Sequence, residues 1–222
     1  MTSKLFAAAV ATAALAAASQ AGAVTVNWAD WTAQTSGTHV DGTITVGSDM
    51  VDVDYDGAIY FTQTNGGTDF WLDTGYTQGV VNRPTGTDLI ALDGGGLKTI
   101  TFSQAVVNPY LAFTSWNNNT VNFSAPFTIV SQGCGYWGCG TFSPNITNTG
   151  FFGSGEVHGV LQFQGTFTSL TFTDSSELWH GFTVGIGGVS TGVPEPATWG
   201  LMILGFGAAG AMLRSRRRAV AA

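Results

Sequence analysis

Charge is what this sequence has least of. Only 9% of its 222 residues are charged, against roughly 25% in an average soluble domain, which argues against an ordinary cytoplasmic enzyme. Bases are scarcer than acids, 7 against 14. Between residues 24 and 193 every acid except Glu195 faces only Arg83 and Lys98, a formal charge of −11 for that stretch. A phosphate backbone needs clustered Lys and Arg, so nucleic acid is not an expected partner. Cysteine is limited to Cys134 and Cys139, and histidine to His39, His158 and His180, with no paired ligands at zinc spacing. His-Glu-x-x-His does not occur, which removes one common route to hydrolysis. No window between 24 and 193 keeps a helical period, and no internal repeat of 20–50 residues is evident.

What is present is period-two alternation of β-branched and aromatic residues. It runs through Thr43–Val46, Met50–Tyr55, Lys98–Ser103 and Thr166–Thr173, the pattern of strands with one face buried. Shorter apolar runs, Ala58–Thr62, Tyr110–Thr114, Phe127–Val130, Gly159–Phe163 and Gly181–Ile186, are separated by Gly, Asn, Asp or Pro. Ten to thirteen such strands predict an all-β fold, a single β-sandwich of jelly-roll-like type over residues 24–186. Residues 187–193, rich in Gly and Ser, read as a flexible linker.

The two ends read differently. Residues 1–23 hold one charge, Lys4, then an Ala-rich run and Ala21-Gly22-Ala23. This is the form of a secretory signal peptide cut by signal peptidase after Ala23. At the other end Pro194-Glu195-Pro196 and Trp199 precede an uncharged stretch, 197–213, and then Arg214, Arg216, Arg217 and Arg218. The stretch is at the short limit of a membrane-crossing helix, and the arginines act as a cytoplasmic stop that leaves the body outside. Motif, span and basic stop over residues 194–218 resemble the PEP-CTERM sorting signal of Gram-negative bacteria, in the subgroup with Trp three residues after the second Pro; Gly200 stands where that subgroup has Ala. The resemblance implies an exosortase as processing partner, a membrane precursor anchored by the C-terminal helix, and delivery to the cell surface or extracellular matrix. Asn108-Pro109, Ala125-Pro126-Phe127 and Trp179–Gly185 are also similar to phrases in ectodomains of that family, a likeness that carries no activity.

Within the body, Cys134 and Cys139 predict a small loop disulfide in an exported chain, with Tyr136 and Trp137 displayed at its tip. Trp116, Tyr136 and Trp137 are the candidate sugar platform, since indole faces stack on pyranose rings while amides and carboxylates take the hydroxyls. Trp28, Trp31, Trp71 and Trp179 are expected in the core. Asp52, Asp54 and Asp56 before Gly57 have calcium-loop spacing, but Gln63 stands at the twelfth position. Val51, Val53 and Tyr55 favour one strand with an acidic outer face instead, with calcium as the alternative and no other cofactor expected. Glu156, His158, Glu177 and His180 are the candidates for hydrolysis, and strand-edge polarity explains them more simply. The sequence therefore predicts a non-enzymatic surface or matrix protein with a structural or adhesive role. A carbohydrate-binding module for exopolysaccharide is the first alternative and a secreted hydrolase the second.

Overall fold

The computed structural model describes residues 23–72, 74–84, 86–190 and 206. Apart from Ala23 and Phe206, the expected leader, membrane span, sorting motif and arginine stop lie outside these residues. Fourteen strands are present: β1 (Asn27–Trp28), β2 (Asp30–Ser36), β3 (His39–Val46), β4 (Asp49–Asp56), β5 (Phe61–Gln63), β6 (Leu89–Leu92), β7 (Gly96–Trp116), β8 (Thr120–Phe123), β9 (Phe127–Gly135), β10 (Gly138–Pro144), β11 (Gly150–Gly155), β12 (Val157–Phe163), β13 (Thr166–Asp174) and β14 (His180–Val189). The all-β expectation therefore holds. The two-sheet, jelly-roll-like arrangement does not describe the pairing, because the path β12-β9-β10-β11-β8-β13-β7 returns to β12 and closes a seven-stranded barrel.

β7 makes that closure. Its first half pairs with β13 on one edge and β4 on the other, and its second half pairs with β12 and β14. The sequence suggests two separate strands here, split at Asn108-Pro109. Instead Asn108 takes a left-handed φ of 50°, a conformation Asn tolerates, and its side chain accepts from Gly165 N at 3.0 Å. The turn residues bend one strand rather than end it. Outside the barrel, β3 and β2 extend from β4, while β6 and β5 extend from β14.

The two kinds of apolar pattern reflect two environments. β3, β4 and β8 alternate buried and exposed residues, because one face meets solvent. Leu89–Leu92, Tyr110–Trp116 and His180–Ile186 are buried at every position. These strands are covered twice. Their inner faces, including Leu111, Phe113, Phe182 and Val184, join a continuous core with Ile44, Val53, Phe123, Phe163 and Phe172. Their outer faces, including Leu89, Ala91, Tyr110 and Ala112, lie under Phe70, Trp71, Tyr76 and Val80, which belong to the long connection between β5 and β6. At about 1.5–3 kcal/mol for each large apolar side chain removed from water, the second cluster holds that connection onto the domain. Gln63 and Asn82 tie it down with bonds to Thr68 O, Thr87 O and Val26 O.

Candidate functional site

The site begins with a bulge at the end of β7. Along β12, Val157 pairs with Trp116 but Gly159 pairs with Phe113, so Thr114 and Ser115 together oppose His158. Ser115 takes φ 58°, outside the range most residues prefer, and bulges of this kind redirect side chains. Strict alternation after Leu111 and Phe113 would send residue 115 inward. The bulge sends Trp116 inward instead, fully buried, with its Nε1 donating to Gly181 O at 2.8 Å. The expectation that Trp116 is a sugar platform is thus overturned.

Ser115 and the following Asn residues instead form one wall of an open cleft of about 420 Å³, lined also by Trp137, Glu156, Glu177 and Trp179. Glu156 lies between β11 and β12, with Gly140 beneath it; a Cβ on Gly140 would sit 2.4 Å from the Glu156 carbonyl carbon, so only glycine allows β10 to pass there. Ser115 Oγ donates to Glu156 Oε2 at 2.5 Å and Asn117 Nδ2 donates to Oε1 at 3.2 Å. Glu177 lies in the connection between β13 and β14. Its Oε1 accepts from Asn117 N at 2.7 Å and its Oε2 from Asn119 Nδ2 at 3.2 Å. One residue, Asn117, therefore holds both carboxylates.

The opposite wall is aromatic. β9 and β10 form a hairpin in which Gly135 pairs with Gly138 and Cys134 with Cys139, and the two cysteines form a disulfide. Tyr136 and Trp137 are left as the turn, 49% and 44% exposed. Trp137 stacks on Phe70 at 5.0 Å and meets Trp179 edge-on at 4.5 Å. Trp179 is half-buried and lines the cleft, whereas Trp28, Trp31 and Trp71 are in the core as expected. Its neighbour Leu178 is 92% exposed, so the β13–β14 connection stands clear of the core there.

Beneath Glu177 lies a buried charged chain. Lys98 Nζ donates to Gly94 O at 2.6 Å and pairs with Asp174, whose other oxygen lies 2.8 Å from His180 Nε2. With Asp174 Oδ2 accepting from His180 Nε2–H, Nδ1 is left offering a lone pair. That buried Nδ1 makes no hydrogen bond and faces Glu177 Oε2 at 3.5 Å. Burial lowers the His180 pKa and pushes the Glu177 carboxyl up to about 7 against the hydrogen bonds of Asn117 and Asn119, with Glu156 and Asp174 adding repulsion. A proton on Glu177 Oε2 is the donor that His180 Nδ1 lacks.

The sign of this coupling is testable. A carboxyl raised from 4.5 to about 7 holds its proton more tightly in the folded chain, so its stabilising contribution is full below the unfolded value and is lost as pH rises through about 7. Glu177→Gln is expected to leave stability near wild type at about pH 5. At about pH 8 it should raise stability by roughly 1–2 kcal/mol after allowance for solvent at the cleft mouth. Urea unfolding at the two pH values measures it, and an equal effect at both would contradict the assignment.

The other sequence candidates lie elsewhere. His158 is buried behind the cleft, its Nδ1 3.0 Å from Tyr76 OH and 3.1 Å from Thr114 Oγ1, so it does not share a surface with Glu156. Asp52, Asp54 and Asp56 lie on the outer face of β4, opposite Thr43, Asp41 and His39. They form a strand and not a calcium loop, and the three carboxylates do not converge. Asp54 groups with His39 and Asp41, ligand atoms within 4.8 Å of one another. His39 already pairs there with Asp56 at 2.7 Å and Asp41 at 2.9 Å, and its pKa is raised first by the Asp56 bond.

Fold and tail together define a class, an all-β body joined to a C-terminal address. The family model described as PEP-CTERM protein-sorting motif matches residues 192–218, which include Pro194, Glu195, Pro196, Trp199 and all four arginines. The chain carries the PEP-CTERM sorting motif over these residues, and the motif implies exosortase processing and export to the cell surface. No curated protein and no solved structure matches the chain.

Proposed function

We propose that this chain is an adhesive, non-catalytic component of the cell surface or extracellular matrix, and that its β domain adheres by binding a saccharide in the cleft between Trp137 and Asn117. In this reading residues 1–23 are removed on export and the binding body runs from residue 24 to the end of β14. Strand β14 carries the folded body through Val189, so the expected linker shortens to the residues after 190, and 194–218 hold a single-pass precursor in the membrane until an exosortase acts. The observation that carries it is the pairing of two partly exposed indoles, Trp137 and Trp179, with two carboxylates and an amide across one cleft. Indole faces cover the apolar side of a pyranose, and the polar wall takes its hydroxyls.

A purely structural role would leave that cleft without purpose. Hydrolysis is the other reading, and the shared tether of Glu156 and Glu177 to Asn117 argues against it. A glycosidase needs its carboxyls on either side of the scissile bond, whereas these two belong to one wall. Co-sedimentation of the purified protein with the producing organism's exopolysaccharide tests the reading. Saturable binding is expected, weakened about tenfold or more in Trp137→Ala, the loss of one stacked ring, with folding unchanged. Binding unaffected by Trp137→Ala would contradict the site, and release of reducing ends from the polymer would contradict the non-catalytic role.

A further inference from the structure

The cleft has an unusual charge balance. Arg83 and Lys98 are the only Lys or Arg among the described residues. Arg83 is paired with Asp69 at 2.8 Å, and Lys98 is fully buried with Asp174. No described cationic side chain is therefore left to neutralise Glu156 and Glu177, which sit together on Asn117. Their hydrogen-bond donors, Ser115 Oγ, Asn117 N, Asn117 Nδ2 and Asn119 Nδ2, are all neutral. Glu156 Oε1, Glu156 Oε2 and Glu177 Oε1 each retain a second lone pair for a donor arriving from the cleft. The facing wall of Trp137 and Trp179 offers ring faces, which attract cations as well as sugar C–H groups.

Glu156, together with Glu177, whose ionised form an arriving ammonium favours, faces two indoles and forms a receptor for a ring that is apolar on one side and carries positive charge at its edge. We infer that the ligand of this cleft is an amino sugar, a hexosamine unit with a free ammonium group within a polysaccharide. The ammonium sits between Glu156 and Glu177, and the pyranose face lies on Trp137. An acidic sugar is excluded by the same carboxylates, and by the acidic body around them, through like-charge repulsion. An N-acetylated or plain hydroxyl analogue can stack equally well but brings no charge to pair with Glu156 or to draw the proton off Glu177. A charge-assisted bond is roughly twice as strong as a neutral one, which predicts discrimination of about tenfold or more.

This inference rests on the cleft being the saccharide site, and the experiment separates the two. The purified full-length protein is titrated calorimetrically with three tetrasaccharides of matching β-1,4 linkage, built from glucosamine, from N-acetylglucosamine and from glucose. The glucosamine tetramer is expected to bind about tenfold or more tightly than the other two. The preference should collapse in Glu156→Gln and, in the unmodified protein, in about 1 M salt, where charges are screened beyond ~3 Å; the salt arm needs no variant to fold. Trp137→Ala should weaken all three. Equal affinity for the three would overturn the amino-sugar assignment and leave the saccharide site standing. A preference that needs added calcium and vanishes in chelator would overturn it in favour of a metal between the carboxylates. Absence of binding by any of the three, together with no binding to the native polymer, would remove the saccharide site itself.

Discussion

Replacing Lys98 with Met is expected to destabilise the domain by about 3–5 kcal/mol, the usual cost of leaving a buried charge without its partner, and to lower the melting temperature by roughly 10 °C. Lys98 and Asp174 are both fully buried as side chains. Removing the ammonium takes one donor from Asp174 and one from Gly94 O. Asp174 then keeps only His180 Nε2, and the imidazole that it orients faces Glu177. The damage therefore reaches the floor of the cleft. Adding Asp174→Asn to Lys98→Met removes the orphaned charge and is expected to restore part of the loss, so the two changes are non-additive. Urea unfolding of both single variants and the double measures this. A loss under about 1 kcal/mol for Lys98→Met would show that the pair is not the buried bridge described here.

The second large effect separates two tryptophans that look alike in the sequence. Trp116→Ala is expected to cost about 3–5 kcal/mol, the range for deleting a large aromatic from a core. The indole is fully buried, lies 4.7 Å from the Phe113 ring and 4.5 Å from that of His180, and donates to Gly181 O. Trp137→Ala is expected to cost under about 1 kcal/mol, as a change at a partly exposed turn, while removing the stacking surface of the cleft. Thermal and urea unfolding of both variants checks the contrast. Comparable losses would mean that the hairpin tip is part of the core or that Trp116 is not.

That contrast marks how far the sequence could be read. Strands with a single buried face were legible because alternation records one solvent face, as in Met50–Tyr55. The continuous runs at Tyr110–Thr114 and Gly181–Ile186 were legible as strands, but not as doubly covered ones. Their second cover comes from Trp71 and Tyr76, distant in sequence. The closed barrel was hidden by Asn108-Pro109, a turn signal that here only bends β7. At the site, the disulfide hairpin and its displayed Trp137 followed from local spacing. Trp116 was misassigned because one extra residue in a bulge reverses every later side chain. Glu156 and Glu177 were visible as candidates, but their meeting depends on Asn117, set by the tertiary fold. Lys98, in phase with Ile100 and Phe102, already pointed inward; an inward Lys requires a buried acid, and that was the unused clue to Asp174.

The cleft as a saccharide site is tested most directly by saturation-transfer NMR on the purified protein with the three tetrasaccharides, irradiating aromatic protons. The C–H protons of one pyranose face are expected to receive the strongest saturation, and this signal is expected to fall to background in Trp137→Ala while the protein remains folded. Saturation that persists unchanged in Trp137→Ala, or that is absent in the unmodified protein, would contradict it.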